Sequence, residues 1–573
     1  MESHSVAASQ RRPAFWLAAL LDFAVGSHSR ACALLVAASL IAFLPGFFQI
    51  PPVDRDEARF AQATKQMVES GDYVDIRFQD EVRYKKPVGI YWLQAAAVKA
   101  GRALGIARAD TTIWLYRLPS LLGATCAVLL TYWAALAFVG RRSAVLAALM
   151  MMSSVVLGVE ARLAKTDAVL LACSVAAMGA LARVYFAARR TPPAPVDWKM
   201  PAVLWTAIAA GILIKGPLIL MFVGLTALSL SLLDRSARWL AALRPLSGVV
   251  WMLLLVLPWF VAIVMRSGTS FFVQAIGHDM LEKVASGQEA HGAPPGYYFA
   301  LFWITFWPGT VLAVLAAPSV WRARREPKAQ FLLAWLVPSW IVFEAVITKL
   351  PHYVMPLYPA IAILVAGVVE QRTLSESPWL KRGTSGWFTF PGLIAVAVPV
   401  IYIVFGRDLG LIAWPFAAAS VIVGLFAWWL YDADGAEQSM LRGVASSVLI
   451  AFTVYAVMFP SLPALFPSAL VADEINASGC ADPKVAGTGY YEEPSLVFLA
   501  GTETRFTDGS GAADFLNGGA CRFALIDQRS ERSFVQRADA IGLRYSLSTR
   551  VDAYNISIGR PVALTVFRSA AAP

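Results

Sequence analysis

The chain has 573 residues, of which 58% are hydrophobic and only 15% are charged. Apolar runs long enough to cross the roughly 30 Å hydrocarbon layer recur along most of it, which excludes a soluble globular protein and predicts an α-helical polytopic membrane protein. The net charge of +10 is spread over the short loops between these runs, so it excludes a nucleic-acid partner and indicates contact with anionic membrane lipids.

In chain order, the apolar runs predict about thirteen transmembrane helices, with boundary errors of a few residues. The predicted spans lie near residues 31–50, 114–138, 143–158, 168–187, 200–214, 217–233, 246–265, 300–320, 329–347, 354–370, 389–405, 411–431 and 443–460.

Basic residues gather in alternate loops, beginning with Arg141 and Arg142 after the second predicted span. Because short loops rich in lysine and arginine stay in the cytoplasm, the amino terminus is predicted to be cytoplasmic and the carboxyl terminus periplasmic. We therefore expect a multi-pass chain in the bacterial inner (cytoplasmic) membrane. Its transmembrane domain covers residues 1–460, and residues 51–113 form the first periplasmic loop.

After the last span, the composition shifts toward glycine-rich turns and short β-like runs, which predicts a small soluble α/β domain over residues 461–573. We interpret this domain as a lid or docking surface, since it has no phosphate-binding glycine loop and no metal-ligand spacing. Cys480 and Cys521 both fall in it, and their spacing leaves open whether they form a disulfide. The predicted strands are Lys484–Gly487, Arg522–Ile526, Leu543–Thr549 and Val562–Phe567, and the predicted helix is Ser530–Ile541.

The first periplasmic loop carries the densest charge in the chain, in the stretch DRDEARFAQATKQMVESGDYVDIRFQDEVRYKKPVGIYWLQ. Apolar residues at helical spacing predict a helix over Glu57–Glu69, and Pro87 with Gly101 bounds a second helix. Both are predicted to lie along the outer membrane surface. Asp54 and Asp56 have a structural alternative, which is that one of them caps the first helix.

Further ionisable residues fall at the outer ends of later spans, among them Lys165, Asp167, Lys215 and His352. Charges at membrane depth usually mark a functional site. Because these groups fall on one side of the bilayer, they argue against a transporter, whose polar groups lie near the midplane. The alternatives are that Asp167 only pairs with a neighbouring base and that the lysines at positions 85 and 86 are a solvated charge run.

The segments DRDEARF, RYKKPVGIYWLQ, ARLAKTDAVL, ILIKGPL and TKLPHYVMPLYPA, in this order, resemble the lipid-linked glycosyltransferases of the GT-C superfamily. The resemblance is to the branch shared by protein O-mannosyltransferases and lipid A aminoarabinose transferases. The Asp-Glu pair, the RY and KP residues, the number of spans and the α/β tail look most like the undecaprenyl phosphate aminoarabinose:lipid A transferases.

This resemblance implies transfer of 4-amino-4-deoxy-L-arabinose from undecaprenyl phosphate to a lipid A phosphate on the periplasmic face, giving resistance to cationic peptides such as polymyxin. Asp56 is the expected carboxylate that stabilises positive charge developing on the sugar, with Asp167 and Glu57 as further catalytic acids. The side chains expected to bind the lipid phosphate are Lys86, Lys85, Arg59, Lys349, Tyr353, His352 and Arg162.

A divalent metal (Zn, Mn or Mg) stays open as a cofactor, with His278 and Asp56 as its candidate ligands. Two other functions also stay open. One is an enzyme like the protein O-mannosyltransferases, which moves a sugar from a polyprenyl phosphate to a protein hydroxyl or another glycan; the other is a non-enzymatic lipid transporter. The expected partners are the lipid-linked donor, lipid A and membrane lipids, and the chain is expected to be a monomer.

Overall fold

The computed structural model describes residues 16–190, 197–275, 292–406, 408–489 and 491–570. Within these ranges the chain is mostly helical. The helices are α1 (Trp16–Val25), α2 (His28–Phe43), α3 (Asp56–Ser70), α4 (Gly89–Ala103), α5 (Ile113–Ala135), α6 (Arg141–Ser153), α7 (Val155–Glu160), α8 (Asp167–Ala188), α9 (Lys199–Lys215), α10 (Leu218–Leu233), α11 (Pro245–Ser267), α12 (Ser270–Phe272), α13 (Tyr297–Thr305), α14 (Gly309–Arg322), α15 (Pro327–Ala345), α16 (Tyr358–Glu370), α17 (Pro378–Lys381), α18 (Gly386–Ile401), α19 (Trp414–Trp429), α20 (Tyr431–Ala451), α21 (Pro467–Ala477), α22 (Pro494–Ala500), α23 (Gly509–Asn517) and α24 (Glu531–Ala540).

Six helical segments in the described ranges are long and apolar enough to cross a membrane, and several shorter apolar helices accompany them. The predicted class, an α-helical membrane protein, is therefore confirmed, while the count of about thirteen spans stays a prediction. The long segments are Ile113–Ala135, Asp167–Ala188, Pro245–Ser267, Pro378–Phe405, Leu411–Trp429 and Tyr431–Met458.

Two predicted spans are each divided between two helices. The run at 143–158 breaks at Ser154, whose backbone is extended and separates α6 from α7. The run at 300–320 breaks before Gly309, where Pro308 lacks the N–H that a continuous helix needs. Apolar periodicity is the same on both sides of each break, so it did not reveal either one.

The first loop folds as two helices joined by a small hairpin of β1 (Arg77–Phe78) and β2 (Glu81–Val82). Helix α3 ends at Gly71, which takes the left-handed conformation that glycine adopts at no steric cost. Helix α4 packs on α3 through a 2.6 Å hydrogen bond from Thr64 Oγ1 to Gln94 Oε1. Phe60 and Tyr91 add an aromatic contact between the same two helices.

The C-terminal residues form a five-stranded sheet with helices packed on it, which we call the C-terminal layer (residues 467–569). The strands are β3 (Lys484–Thr488), β4 (Arg505–Thr507), β5 (Arg522–Asp527), β6 (Tyr545–Asn555) and β7 (Arg560–Ser569), in the spatial order β4-β3-β5-β7-β6. The pairings of β3 are parallel and those of β7 are antiparallel. Cys480 and Cys521 form a disulfide beside this sheet.

The C-terminal layer rests on the first loop through α22 and α3. Lys65 on α3 donates a 2.9 Å hydrogen bond to the carbonyl of Phe498, and its ammonium is buried there. Gln62 and Gln79 bond to Thr502, and Gln79 also reaches the carbonyl of Thr504. These contacts hold α3, which begins at Asp56, between the membrane helices and the C-terminal layer.

Candidate functional site

Asp56 is the first residue of α3, and its side chain is exposed. Within the described part of the chain, its carboxylate forms no hydrogen bond or ion pair. The N-cap residue of α3 is Arg55, and no side-chain capping hydrogen bond is found there among the described residues, so the structural alternative that Asp54 or Asp56 caps this helix does not hold. A carboxylate that the helix does not use stays available for chemistry.

Asp56 lines a cavity of about 310 Å³ that opens between the first loop, the outer helix ends and the C-terminal layer. The pocket carries charges of both signs, because Lys165 lines it together with the carboxylates of Asp56 and Glu57. Other lining residues are Asp54, Arg55, Leu163, Leu350 and Ile556.

Glu57, one residue further along α3, is almost completely buried and pairs with Arg117 on α5. Both carboxylate oxygens bond to the guanidinium at 2.8 Å, and each also accepts a backbone N–H, from Val53 and Ala164. The remaining Arg117 donors reach backbone carbonyls where the chain runs from α2 to α3. All of these groups are satisfied, which fits a positioning role for Glu57 and leaves its predicted catalytic role a prediction.

Asp54 turns away from α3 toward the C-terminal layer. Its carboxylate accepts hydrogen bonds from the backbone N–H (2.9 Å) and the hydroxyl (2.6 Å) of Ser495, in the first turn of α22. Burial, reinforced by the nearby carboxylate of Glu493, raises the pKa of Asp54 to about 7, although the bonds from Ser495 favour the charged form. Sequence reasoning missed this contact because Ser495 lies far along the chain.

Ionisable side chains form a network where α7 ends, α8 begins and α9 ends. Lys215 pairs with Asp167, and Lys165 lies 3.4 Å from Glu160 and 3.9 Å from Asp167. His352 bridges the two carboxylates, with Nδ1 3.3 Å from Glu160 and Nε2 3.5 Å from Asp167. We call these five residues the rim network. Two ammonium groups balance two carboxylates, which is how buried charge is normally tolerated.

The rim network connects the predicted catalytic acids to the predicted phosphate-binding lysines. Lys165 interacts electrostatically with Asp56, and both side chains line the same pocket. Lys86 is within electrostatic range of His352, and Tyr353 places its ring 5.1 Å from the Lys215 ammonium. Lys85 is exposed, and Lys86 and Arg59 are half-buried, at the junction of the two surface helices.

Arg162 and Lys349, also predicted to bind the lipid phosphate, are buried and bond to backbone carbonyls. Arg162 donates to the carbonyls of Ala42, Pro45 and Gly158 and stacks on the ring of Tyr455. Lys349 donates to three carbonyls at the end of α15, between 2.5 and 3.1 Å. Such bonds satisfy helix ends, and a phosphate-binding role for these two residues stays a prediction.

Among the described residues, the side chains placed to hold a metal are Glu160, Asp167 and His352, with one ligand atom of each within 4.8 Å of the others. Asp56 is not part of this group, and His278 lies outside the described residues. Glu160 is the member that sequence reasoning missed. The available signal was an acid at the end of an apolar run, five residues before Lys165.

The chain is similar in sequence to known glycosyltransferases. The family described as dolichyl-phosphate-mannose-protein mannosyltransferase matches residues 57–270, which include Glu57, Lys86, Asp167 and Lys215. An undecaprenyl phosphate-alpha-4-amino-4-deoxy-L-arabinose arabinosyl transferase of Pectobacterium atrosepticum is 26% identical over 355 residues, 60% of each chain. The enzyme of that name from Pseudomonas aeruginosa is 27% identical over 457 residues, 78% of each chain.

A solved structure gives the same fold. The crystal structure of ArnT from Cupriavidus metallidurans bound to undecaprenyl phosphate superposes with a TM-score of 0.74 at 20% identity, over 93% of this chain and 97% of that one. The fold likeness therefore extends beyond the membrane helices into the C-terminal layer. The predicted resemblance to the GT-C lipid-linked glycosyltransferases, close to the aminoarabinose transferases, is therefore confirmed.

Proposed function

We propose that this chain is a membrane glycosyltransferase that moves 4-amino-4-deoxy-L-arabinose from undecaprenyl phosphate to a phosphate of lipid A. The observation that carries the proposal is Asp56, whose carboxylate forms no hydrogen bond or ion pair with the described residues and lines a pocket together with Lys165 of the rim network. The relatives named for this reaction align over 60 to 78% of the chain. The names of these relatives supply the sugar and its carrier.

The reaction breaks the bond between the sugar's anomeric carbon and the donor phosphate oxygen, and forms one to an oxygen of the acceptor. Positive charge develops on the sugar ring as the first bond weakens, and the Asp56 carboxylate stabilises it. Lys86, with Lys85 and Arg59, binds the departing phosphate by charge-assisted hydrogen bonds. A lipid A phosphate is already anionic at neutral pH, so it attacks without a general base.

In this proposal the rim network holds the floor of the pocket. Asp167 pairs with both Lys165 and Lys215 and holds their ammonium groups in place, and His352 lies beside the same carboxylate, so that two cations stay close to the reacting phosphate. Tyr353 packs over Lys215 and fixes the ammonium from the other side.

The proposal also includes the location and topology. We place the chain in the bacterial inner membrane as a monomer, with its amino terminus cytoplasmic and with the pocket and the C-terminal layer periplasmic. A cationic sugar on lipid A lowers the negative charge of the cell surface, and binding of polymyxin-like peptides falls with it.

The second candidate is transfer of a sugar from a polyprenyl phosphate to a protein hydroxyl or another glycan. The observation that favours it is the match of residues 57–270 to the protein mannosyltransferase family. A hydroxyl acceptor must lose its proton, so Asp56 would then act as a general base. Activity with a peptide but not with lipid A would select this reading.

A divalent metal belongs to the proposal only at Glu160, Asp167 and His352. Carboxylate and imidazole suit zinc or manganese, but the ammonium groups of Lys165 and Lys215 already neutralise the two acids. Two nearby positive charges oppose a divalent ion. We expect transfer by the purified protein to persist after chelation with EDTA; loss of transfer that added zinc or manganese restores would place a metal in this group.

The central experiment is to express the chain in a strain that lacks its own aminoarabinose transferase but makes the donor, and to weigh its lipid A. We expect the added mass of one or two aminoarabinose units, together with a rise in polymyxin resistance. Unmodified lipid A in cells with abundant, correctly inserted protein would reject the proposal.

A further inference from the structure

The inference concerns the turn between β6 and β7, residues 555–559, which we call the hairpin tip. Strand β5 pairs with β7 only over Leu564–Arg568, whereas β6 and β7 pair with each other down to Asn555 and Arg560. The last part of this two-stranded ribbon therefore projects beyond the sheet. It ends at the pocket that holds Asp56.

The hairpin tip is held in one conformation by its own hydrogen bonds. Asn555 Oδ1 accepts from the backbone N–H groups of Ser557 (2.9 Å) and Ile558 (3.3 Å), as in an Asx turn. Gly559 closes the turn with a left-handed φ of 67°, a conformation that favours glycine.

The base of the hairpin is anchored from two sides. Asn555 is buried and donates a 2.6 Å hydrogen bond to Glu493, the residue before α22. Tyr554 packs edge-on against Phe405 at the end of a membrane helix, with ring centroids 4.9 Å apart. The ribbon is therefore fixed both to the membrane helices and to the segment that contacts Asp54.

Two isoleucines of the hairpin tip differ in what they face. Ile556 and Ser557 line the Asp56 pocket together with Lys165 and Leu350. Ile558 is two residues along, is not part of that lining, and is about as exposed: 42% against 49% for Ile556. The ribbon thus directs one apolar side chain into a charged pocket, where burial of a hydrophobic core does not require it.

We propose that the hairpin tip is a wall of the catalytic pocket and that Ile556 is a specificity-determining residue, setting the size of the group that reaches Asp56. The C-terminal layer, in this view, shares in substrate selection. The part of the inference that concerns sugar transfer rests on the proposed function. Its geometric part, a wall beside Asp56, does not depend on which sugar is moved.

The first test measures access to position 56 without any turnover. Asp56→Cys is introduced with Cys32→Ala, Cys126→Ala and Cys173→Ala, which remove the free thiols and leave the disulfide intact. A water-soluble maleimide then labels position 56. We expect Ile556→Trp to slow this labelling several-fold and Ile556→Ala to speed it, while Ile558→Trp and Ile558→Ala leave the rate unchanged. Equal rates in all four variants would overturn the wall.

The second test measures transfer in the chain that retains Asp56. We expect Ile556→Trp to lower kcat/KM about tenfold, since a pocket discriminates by volume to roughly this extent, and Ile558→Trp to have no effect. An unchanged thermal unfolding temperature shows that each variant folds. Ile556→Ala is the matched variant that changes access to position 56 in the opposite direction to Ile556→Trp. Altered labelling with unaltered transfer would overturn the specificity role.

These two tests separate the inference from the proposed function. If the unsubstituted chain transfers no aminoarabinose, the proposed function fails, and the labelling rates still decide whether the hairpin tip covers position 56.

Discussion

At the residue scale, two adjacent acids have opposite environments. The Asp56 carboxylate is exposed, whereas that of Glu57 is buried and bonded at both oxygens. A local sequence pattern treats them alike, as an Asp-Glu pair at a helix start. The partners of Glu57 include Arg117 and Ala164, the second more than a hundred residues away, so only the folded chain separates the roles of the two acids.

The substitution Asp56→Asn removes the charge and keeps the size. We expect transfer to fall by about a hundredfold or more, because the carboxylate stabilises charge in the transition state only. The thermal unfolding temperature in detergent should stay unchanged, since no described partner is lost. Transfer assays and unfolding curves are measured on one preparation. Full function in this variant would favour the transporter alternative.

The substitution Glu57→Ala leaves the guanidinium of Arg117 buried without its carboxylate. We expect a loss of about 3–5 kcal/mol in the free energy of unfolding, as for other broken buried ion pairs. A large fall in the unfolding temperature is the expected readout, with Asp56→Asn as the matched control on the neighbouring residue. Glu57→Ala with normal stability but no transfer would instead support a catalytic Glu57.

At the element scale, the two helices of the first loop and four of the five strands of the C-terminal layer lie close to where the sequence predicts them, whereas β4 was not predicted. The predicted helix Glu57–Glu69 matches α3, and Pro87 precedes the start of α4 by two residues, but the predicted end is wrong because Gly101 lies inside α4. Helix α22 was not predicted, because only seven residues form it and its start is satisfied by Asp54. Short helices depend on tertiary partners more than on their own propensity.

The docking of α22 should depend on pH through Asp54, whose pKa is raised from 3.8 to about 7. The folded chain holds this proton more tightly than the unfolded chain. The stability from Asp54 is therefore greatest below pH 3.8, decreases as the pH rises to about 7, and is constant above it.

Hydrogen exchange of residues 494–500 tests this dependence. After correction for intrinsic rates, we expect less protection at pH 8 than at pH 6. Asp54→Asn keeps an acceptor for Ser495 but does not ionise, so the difference should vanish in that variant. An unchanged difference would assign the pH dependence to another group.

At the scale of the whole molecule, the predicted site residues in the described ranges lie at helix ends and in the adjoining turns, from α3 through α8 to the turn before α16. The rim network joins residues that are nearly two hundred positions apart, such as Glu160 and His352. The C-terminal layer closes the same region from above, through α22 and the hairpin tip.

This arrangement predicts the orientation of the chain, and the disulfide of the C-terminal layer makes it measurable. In intact spheroplasts, we expect Cys480 and Cys521 to react with a membrane-impermeant maleimide after mild reduction, because the layer lies outside. A Cys480→Ala, Cys521→Ala chain serves as the blank. Labelling that appears only after the membrane is permeabilised would show that the C-terminal layer is cytoplasmic and that the predicted topology is wrong.

The sequence by itself determined the features that depend on local pattern. Apolar length predicted the membrane class, alternating basic loops predicted the topology, and the motif from Asp54 to Gln94 indicated both the family and Asp56. What only the tertiary structure decided is which charges are satisfied. Arg162 and Lys349 bond to carbonyls, Glu57 pairs with Arg117, and Asp56 stays exposed. The physical reason is that a buried charge must find partners in space, and those partners come from distant segments that no local pattern connects.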